Sequence, residues 1–418
     1  MATVTEPGPP LSGAPERQMR LILFLGAGVS QRSGLPMADG LTTTVLRSPY
    51  RQAGPRQFVP GRPTNGGRRG SDTTHRIRAL LRMLRDHDER DRKRVGYYRP
   101  GKTGRFKSSG AIYRSRTTYE DLFHLCQQMY LWNIGLVADS LTTPLMEALE
   151  RRAGALLHGR SVTARLSDLA SLASDAAVFI ESVVASTLVC PRALGLDLVV
   201  ALATDPRIEQ LNIVTLNHDT LVEQTLSENG VSAVDGFGPP DGDIRWHDDV
   251  LYDSIDAKVR LFKLHGSVNW YSFQSAGSSR LGMLVNEDVG GARDAAGSVR
   301  ELAIGSPSFL TGVNKSAGYQ RGIYGDLHFR FADLLRRCDK MAMSGYGWGD
   351  GAINFQLEAW LDHPAPHKLV LLHEQPDQIA SNSLVVATGF DWWTRSGRLI
   401  PVRKWLEDAT VADVWTHL

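Results

Sequence analysis

Cysteine is scarce in this 418-residue chain: Cys126, Cys190 and Cys338 are the only three, and no Cys-x-x-Cys pair occurs. Three thiols cannot complete a four-thiolate zinc site, so a zinc ribbon is excluded. Lying far apart in sequence, they are read as buried free thiols in a reducing cytoplasm. No apolar run approaches the ~20 residues of a membrane-spanning helix, which argues against a membrane protein. Residues 1–18 carry Pro7, Pro9, Pro10 and Pro15 and no apolar stretch, so they read as a disordered leader and not a signal peptide.

Net charge is nearly absent as well, +2 over the whole chain, but the balance is uneven. Residues 51–116 hold 19 Arg and Lys against 5 Asp and Glu, which leaves the rest of the chain acidic. Nine glycines and few large aliphatics outside Ile77–Leu84 suggest a flexible basic insertion around one short helix. Such a segment is either solvated or a contact surface for nucleic acid or an acidic protein. Within it, Gly96 to Thr103 reads GYYRPGKT and satisfies the Walker A pattern letter for letter. A phosphate-binding loop needs a buried strand before it and a helix after it. The flanks ERDRKRV and GRFKSSG offer neither, so Lys102 is given no triphosphate role.

The informative stretch is MRLILFLGAGVSQRSGLPMADGL, residues 19–41. Leu21 to Gly26 are apolar or glycine, the pattern of a strand buried on both faces. A turn follows at Gly26, Ala27, Gly28 and Ser30, with Gly34 and Pro36 just beyond. Glycines at a strand's carboxyl end let backbone amides approach a ligand, and a helix start there presents free N–H groups to a phosphate. The ordinary dinucleotide fingerprint is not met, because Gln31 stands where its third glycine belongs. Further apolar runs predict strands at 211–216, 259–264, 340–345 and 368–373. Three- and four-residue spacing predicts helices over 119–133, 140–157 and 162–188. The expected fold is α/β: a Rossmann-like parallel sheet with flanking helices, in one catalytic domain over 19–418. A helical subdomain at about 119–205 and the basic segment 51–116 are insertions in it.

Four blocks in order carry a family resemblance. GAGVSQRSGLP resembles the first NAD-binding motif of the Sir2 (sirtuin) family. IVTLNHDTLVE, from Ile213 to Glu223, is similar to that family's T-x-N-x-D block. LFKLHGSVNWY, from Leu261 to Tyr271, resembles its His-Gly-Ser block, in the form common in the bacterial, non-deacetylase branch. MSGYGWGDGAIN, from Met343 to Asn354, resembles that branch's late strand-to-helix turn, and DGFG at Asp235 to Gly238 fits the same branch. Together the blocks anchor the chain from about Met19 to about Glu374.

The resemblance implies NAD as substrate, no metal, and Asn217 and His265 as catalytic residues. An imidazole titrating near neutrality can draw a proton from a ribose hydroxyl or water. The Asn217 amide can hold a ribose hydroxyl and an attacking water. Alternatively, Asn217 and Asp219 cap the helix starting near Thr220. The residues implied around the dinucleotide are Gly26, Ala27, Gly28, Ser30, Gly34, Pro36, Gly266, Ser267, Gly345 and Tyr346. Asp219 is expected to hold the carboxamide or brace its loop, and Glu374 to take adenosine ribose hydroxyls. His218 is read as a support behind the catalytic residues or as structural.

Two departures stand out. Met37-Ala38-Asp39 replaces the Asp-Phe-Arg of deacetylating sirtuins, and Gly345-Tyr346-Gly347 replaces Gly-x-Ser. Those deacetylases also build one wall of their acyl-lysine channel from a zinc ribbon that these cysteines cannot form. The expectation is therefore a cytoplasmic NAD+ glycohydrolase of the zinc-less branch associated with antiphage defence. It is expected to be a homo-oligomer silent until assembly or a partner activates it, and some relatives of this size work with a HerA-type ATPase. ADP-ribosyl transfer and NAD or ADP-ribose sensing without turnover stay open as alternatives.

Overall fold

In the computed structural model the described residues are 19–418, apart from 55, 62–72, 95–116, 137–142, 145, 150–151, 153–165, 191, 255, 276, 287–290, 313–314, 316–318 and 320–321. The leader, GYYRPGKT and most of the expected helix over 140–157 lie outside them.

Strand β1, Met19–Leu25, shows why a central parallel sheet forms. Its residues from Leu21 onward are fully buried, and successive side chains leave opposite faces. Leu21, Leu23 and Leu25 enter one hydrophobic core, and Ile22 and Phe24 enter another. A strand without a polar face belongs in a sheet covered on both sides. The other members are β4 (Ile208–Thr215), β7 (Val259–Lys263), β10 (Lys340–Ser344), β11 (Lys368–Leu372) and β12 (Leu399–Val402). Their order is β12-β11-β10-β1-β4-β7, with every pair parallel. The chain steps outward from β1 to β7, then returns to β10 on the other side of β1. This is the doubly wound order, and its switch point lies between β1 and β10, where such sheets open a ligand crevice. Strand β12 was not expected: it has four residues, one of them Pro401, and a proline is tolerated at this sheet edge.

One face of the sheet is covered by α1 (Ala38–Arg47), α3 (Tyr119–Asn133), α4 (Leu166–Thr187), α5 (Asp197–Thr204) and α6 (Leu221–Glu228). Helix α2 (Thr73–Arg94) and a hairpin of β2 (Tyr50–Gly54) and β3 (Gln57–Pro60) extend that layer. Ile77, Leu80, Leu81 and Leu84 of α2 are fully buried at helical spacing. The helix runs well past them because DHDERDRKR contains neither glycine nor proline. By length and composition Asp168–Thr187 of α4 could cross a membrane. Instead, Phe179, Ile180 and Val183 are buried in the core, and Phe179 meets Tyr50 and Phe58 edge-on at 5.9 and 5.3 Å. The opposite face carries α7 (Gly322–Arg337), α8 (Gly351–Asp362) and α9 (Leu384–Arg395). Four antiparallel strands, β5 (Phe237–Asp241), β6 (Ile244–His247), β8 (Trp270–Ser275) and β9 (Ser278–Leu284), form a separate sheet ordered β5-β6-β9-β8.

Candidate active site

At the switch point two loops touch backbone to backbone. Gly26 N donates to Ser344 O at 3.0 Å, and Gly28 N donates to Gly345 O at 2.8 Å. A Cβ on Gly26 would lie 2.6 Å from Gly345 O, and one on Gly28 would lie 2.7 Å from Gly345 Cα. Gly345 itself sits at φ +68°. The glycines of GAG are thus required by the contact between the β1 and β10 turns, whatever binds beside them. Gly28→Val is expected to force these turns apart and cost at least about 1–3 kcal/mol. A lowered urea midpoint would register this; an unchanged midpoint would show that the contact is not tight.

The first two sequence blocks are tied by buried hydrogen bonds. Ser30 Oγ donates to Asp219 Oδ2 at 2.7 Å, and Asn217 Nδ2 donates to Gly26 O and to Ser30 Oγ, both at 3.1 Å. Asp219 Oδ1 accepts from Leu221 N at 3.2 Å, so this carboxylate braces the loop and caps the start of α6. Asn217 Oδ1 is buried and has no protein partner. Lys263, at the end of β7 and 2% exposed, pairs with Glu223 at 2.7 Å and donates to the Asp219 carbonyl. The third block therefore holds the second in place.

His265 follows two residues later and is buried. Its Nε2 lies 3.0 Å from the Tyr319 hydroxyl and 3.4 Å from Asp350 Oδ2. Burial lowers its pKa below the ordinary histidine value, with the Lys315 charge adding to this and Asp350 opposing it. The imidazole is therefore neutral at physiological pH, the state a base requires. Burial pushes the Asp350 carboxyl up, but the adjacent His265 and the hydrogen bond from Tyr319 outweigh it and keep the group ionised. His218 supports the third block through its carbonyl, which accepts from Val268 N at 2.9 Å and Ser267 Oγ at 3.2 Å. Burial also holds its imidazole well below the usual range.

Asn217 and His265 line one cleft of about 240 Å³ at the switch point, with Gly26, Ala27, Ser30, Pro36, Asp219, Gly345 and Tyr346. Gly28, Gly34, Gly266, Ser267 and Glu374 do not line it. Gly28 is consumed by the β10 turn, and Gly34 (φ +84°) shapes a turn with nothing near its Cβ position. Gly266 (φ +78°) packs against Ser308 O, and Ser267 is fully buried. Glu374 is exposed beyond the end of β11. The Tyr346 hydroxyl is already used, donating to Asn354 Oδ1 at 2.7 Å, and its ring packs against Phe24 and Trp348.

The structure adds Tyr119, Glu120, Lys315 and Asp350 to the lining. Lys315 is the single lysine or arginine among the described lining residues, and it meets Glu120 at 2.8 Å. Sequence signals existed for three of these four, Tyr119 and Glu120 sharing one. Glu120 lies in the capping box of Thr118 and Asp121 that starts α3, and Asp350 precedes Gly-Ala-Ile-Asn as the N-cap of α8. Lys315 and Tyr319 fall in a stretch without periodicity.

Residues 211–392 match the model of the SIR2-like domain. The match begins in β4 and contains Asn217, His265 and Asp350, while the GAG turn outside it is joined through Ser30, Asn217 and Asp219. No curated protein sequence matches the chain.

Proposed function

Proceeding from a chain that carries a SIR2-like domain, we propose that the protein is an NAD+ glycohydrolase, which splits the dinucleotide into nicotinamide and ADP-ribose. The observation that carries this reading is the meeting of Asn217 and His265 in one cleft beside the β1–β10 turns. Nicotinamide leaves as the electron pair of the ribose C1′–N bond returns to its ring nitrogen, which needs no strong acid. The ribose passes through a state close to an oxocarbenium ion, which the ionised Asp350 near His265 favours electrostatically. Water forms the new C1′–O bond, and its proton passes to His265 and on to solvent. Asn217 Oδ1, lacking a protein partner, is left to accept from the water or a ribose hydroxyl. The charged wall of Glu120, Lys315 and Asp350 suits water better than an apolar acyl chain as the second reactant.

His265 must be unprotonated to act, and burial lowers its pKa. The acid limb of kcat/KM is therefore expected to fall below the unperturbed histidine value of about 6.5. A limb at or above that value would contradict a buried imidazole base.

We place the biological role in antiphage defence, by depletion of the NAD pool. Such an enzyme has to rest inactive, and a cleft of about 240 Å³ is small beside the roughly 300–1,000 Å³ of ligand pockets. Opening by self-assembly or by a partner, of the HerA-type ATPase kind, would then be the trigger. Incubating the protein with NAD, alone and with the product of a neighbouring gene, and following nicotinamide tests this. Release in either arm supports the reading; intact NAD in both defeats it.

A further inference from the structure

His265 Nε2, the Tyr319 hydroxyl and Asp350 Oδ2 form a chain whose hydrogens can be assigned. The Tyr319 hydroxyl has one hydrogen and donates it to Asp350 Oδ2. An ionised carboxylate only accepts, so the direction of that bond is fixed. The hydroxyl oxygen can then only accept from His265 Nε2, 3.0 Å away. A neutral imidazole bearing its hydrogen on Nε2 carries its lone pair on Nδ1.

We propose that Asp350, acting through Tyr319, is the positioning residue that fixes His265 as the Nε2–H tautomer, making Nδ1 the atom that takes the proton during NAD cleavage. The use of Nδ1 as base rests on the glycohydrolase reading, whereas the tautomer does not. Both relay members are anchored independently of His265. Asp350 Oδ1 accepts from Ala352 N and Ile353 N at 3.1 Å, and its own N–H donates to the Tyr346 hydroxyl at 3.1 Å. The Tyr319 ring stacks on His328 at 3.7 Å. Burial and the neighbouring Asp350 charge raise the Tyr319 pKa, so the hydroxyl keeps its hydrogen.

The other groups facing His265 do not compete for Nε2. Lys315 disfavours the imidazolium, while Asp350 and Glu120 favour it. The His218 and His328 rings lie 6.2 and 6.4 Å away, centroid to centroid. Loss of the Asp350 charge therefore removes the largest contribution that favours the imidazolium, and the titration of His265 moves to lower pH.

The test is 15N NMR of the full chain labelled at histidine, without NAD, with His265→Asn identifying the signals. The expected spectrum at neutral pH has hydrogen on Nε2 and none on Nδ1. Asp350→Asn keeps a cap for α8 through its amide oxygen but turns an amide donor toward Tyr319. It is expected to shift the tautomer toward Nδ1–H, to move the titration of His265 downward, and to cut kcat/KM for NAD by about 10²–10⁴-fold. Tyr319→Phe leaves the carboxylate within reach of Nε2 and should retain the wild-type tautomer with a smaller loss. A wild-type Nδ1–H signal overturns the proposal. So does an Asp350→Asn protein that loses activity with tautomer and titration unmoved, because a purely structural role predicts that result. The expected spectra from a protein that leaves NAD intact would uphold the tautomer and defeat the glycohydrolase reading alone.

Discussion

Asn217→Ala is expected to lower the rate of NAD cleavage by about 10²–10³-fold, the scale of losing one preorganised hydrogen-bonding group. Both hydrogens of the Asn217 amide are engaged, by Gly26 O and Ser30 Oγ, so its orientation is set by the β1 turn. That leaves Oδ1 buried and unpartnered, a condition that costs about 1–3 kcal/mol in a folded protein. A proton donor brought by the substrate, a hydroxyl or a water, would relieve the cost when the cleft fills. Asn217→Asp preserves the shape but has no hydrogens for Gly26 O and sets a second carboxylate close to Asp219. It should lose activity to the same degree and stability in addition. Initial rates with thermal unfolding of both variants separate these effects, and wild-type rates in Asn217→Ala would remove the residue from the chemistry.

The second large effect is expected at Lys263, which no ligand need touch. Lys263→Met strips the counter-charge from Glu223 and leaves that carboxyl buried alone, a change that usually costs about 3–5 kcal/mol. Burial already raises the Glu223 pKa, with Lys263 opposing the rise, so the variant raises it further. A carboxyl whose folded pKa lies above its unfolded value contributes most at low pH and destabilises as pH rises through the folded pKa. The loss in Lys263→Met should therefore grow with pH. Adding Glu223→Leu should restore the part due to the unpaired carboxyl and abolish that dependence, while the lost bond from Lys263 to the Asp219 carbonyl stays lost. Urea unfolding of the single and double variants at acidic and alkaline pH measures both. Equal losses in the two variants would mean that the ion pair is not what holds the loop.

The strands of the central sheet were legible because burial on both faces leaves uninterrupted apolar runs, as in Leu21–Leu25, Met341–Met343 and Leu369–Leu372. Helix α3 has the expected bounds, since Thr118 and Asp121 cap its start. The separate antiparallel sheet gave little sign of itself: β5 reads FGPPD, which no strand pattern would select.

Within the site, sequence spacing named residues at strand ends without saying which way each would turn. Asn217 and His265 both came to the cleft, whereas Glu374, at an equivalent strand end, stayed outside it. Gly28 read as a ligand-facing glycine, yet its missing side chain makes room for Gly345, some 300 residues away in sequence. Asp350 could be read as a helix cap, but a cap uses one carboxylate oxygen. The destination of the other, beside His265, is decided by the packing of α8 against the sheet. Lys263 and Glu223 lie 40 positions apart in separate sequence blocks, and only the fold shows that they meet.

The most direct measurement is the product analysis of NAD incubated with the wild-type protein and with His265→Ala, in the presence of whatever partner activates it. The account predicts nicotinamide and free ADP-ribose in equal amounts from the wild type and no turnover from the variant. Full turnover by His265→Ala, or ADP-ribose found only as an adduct on another molecule, would contradict it.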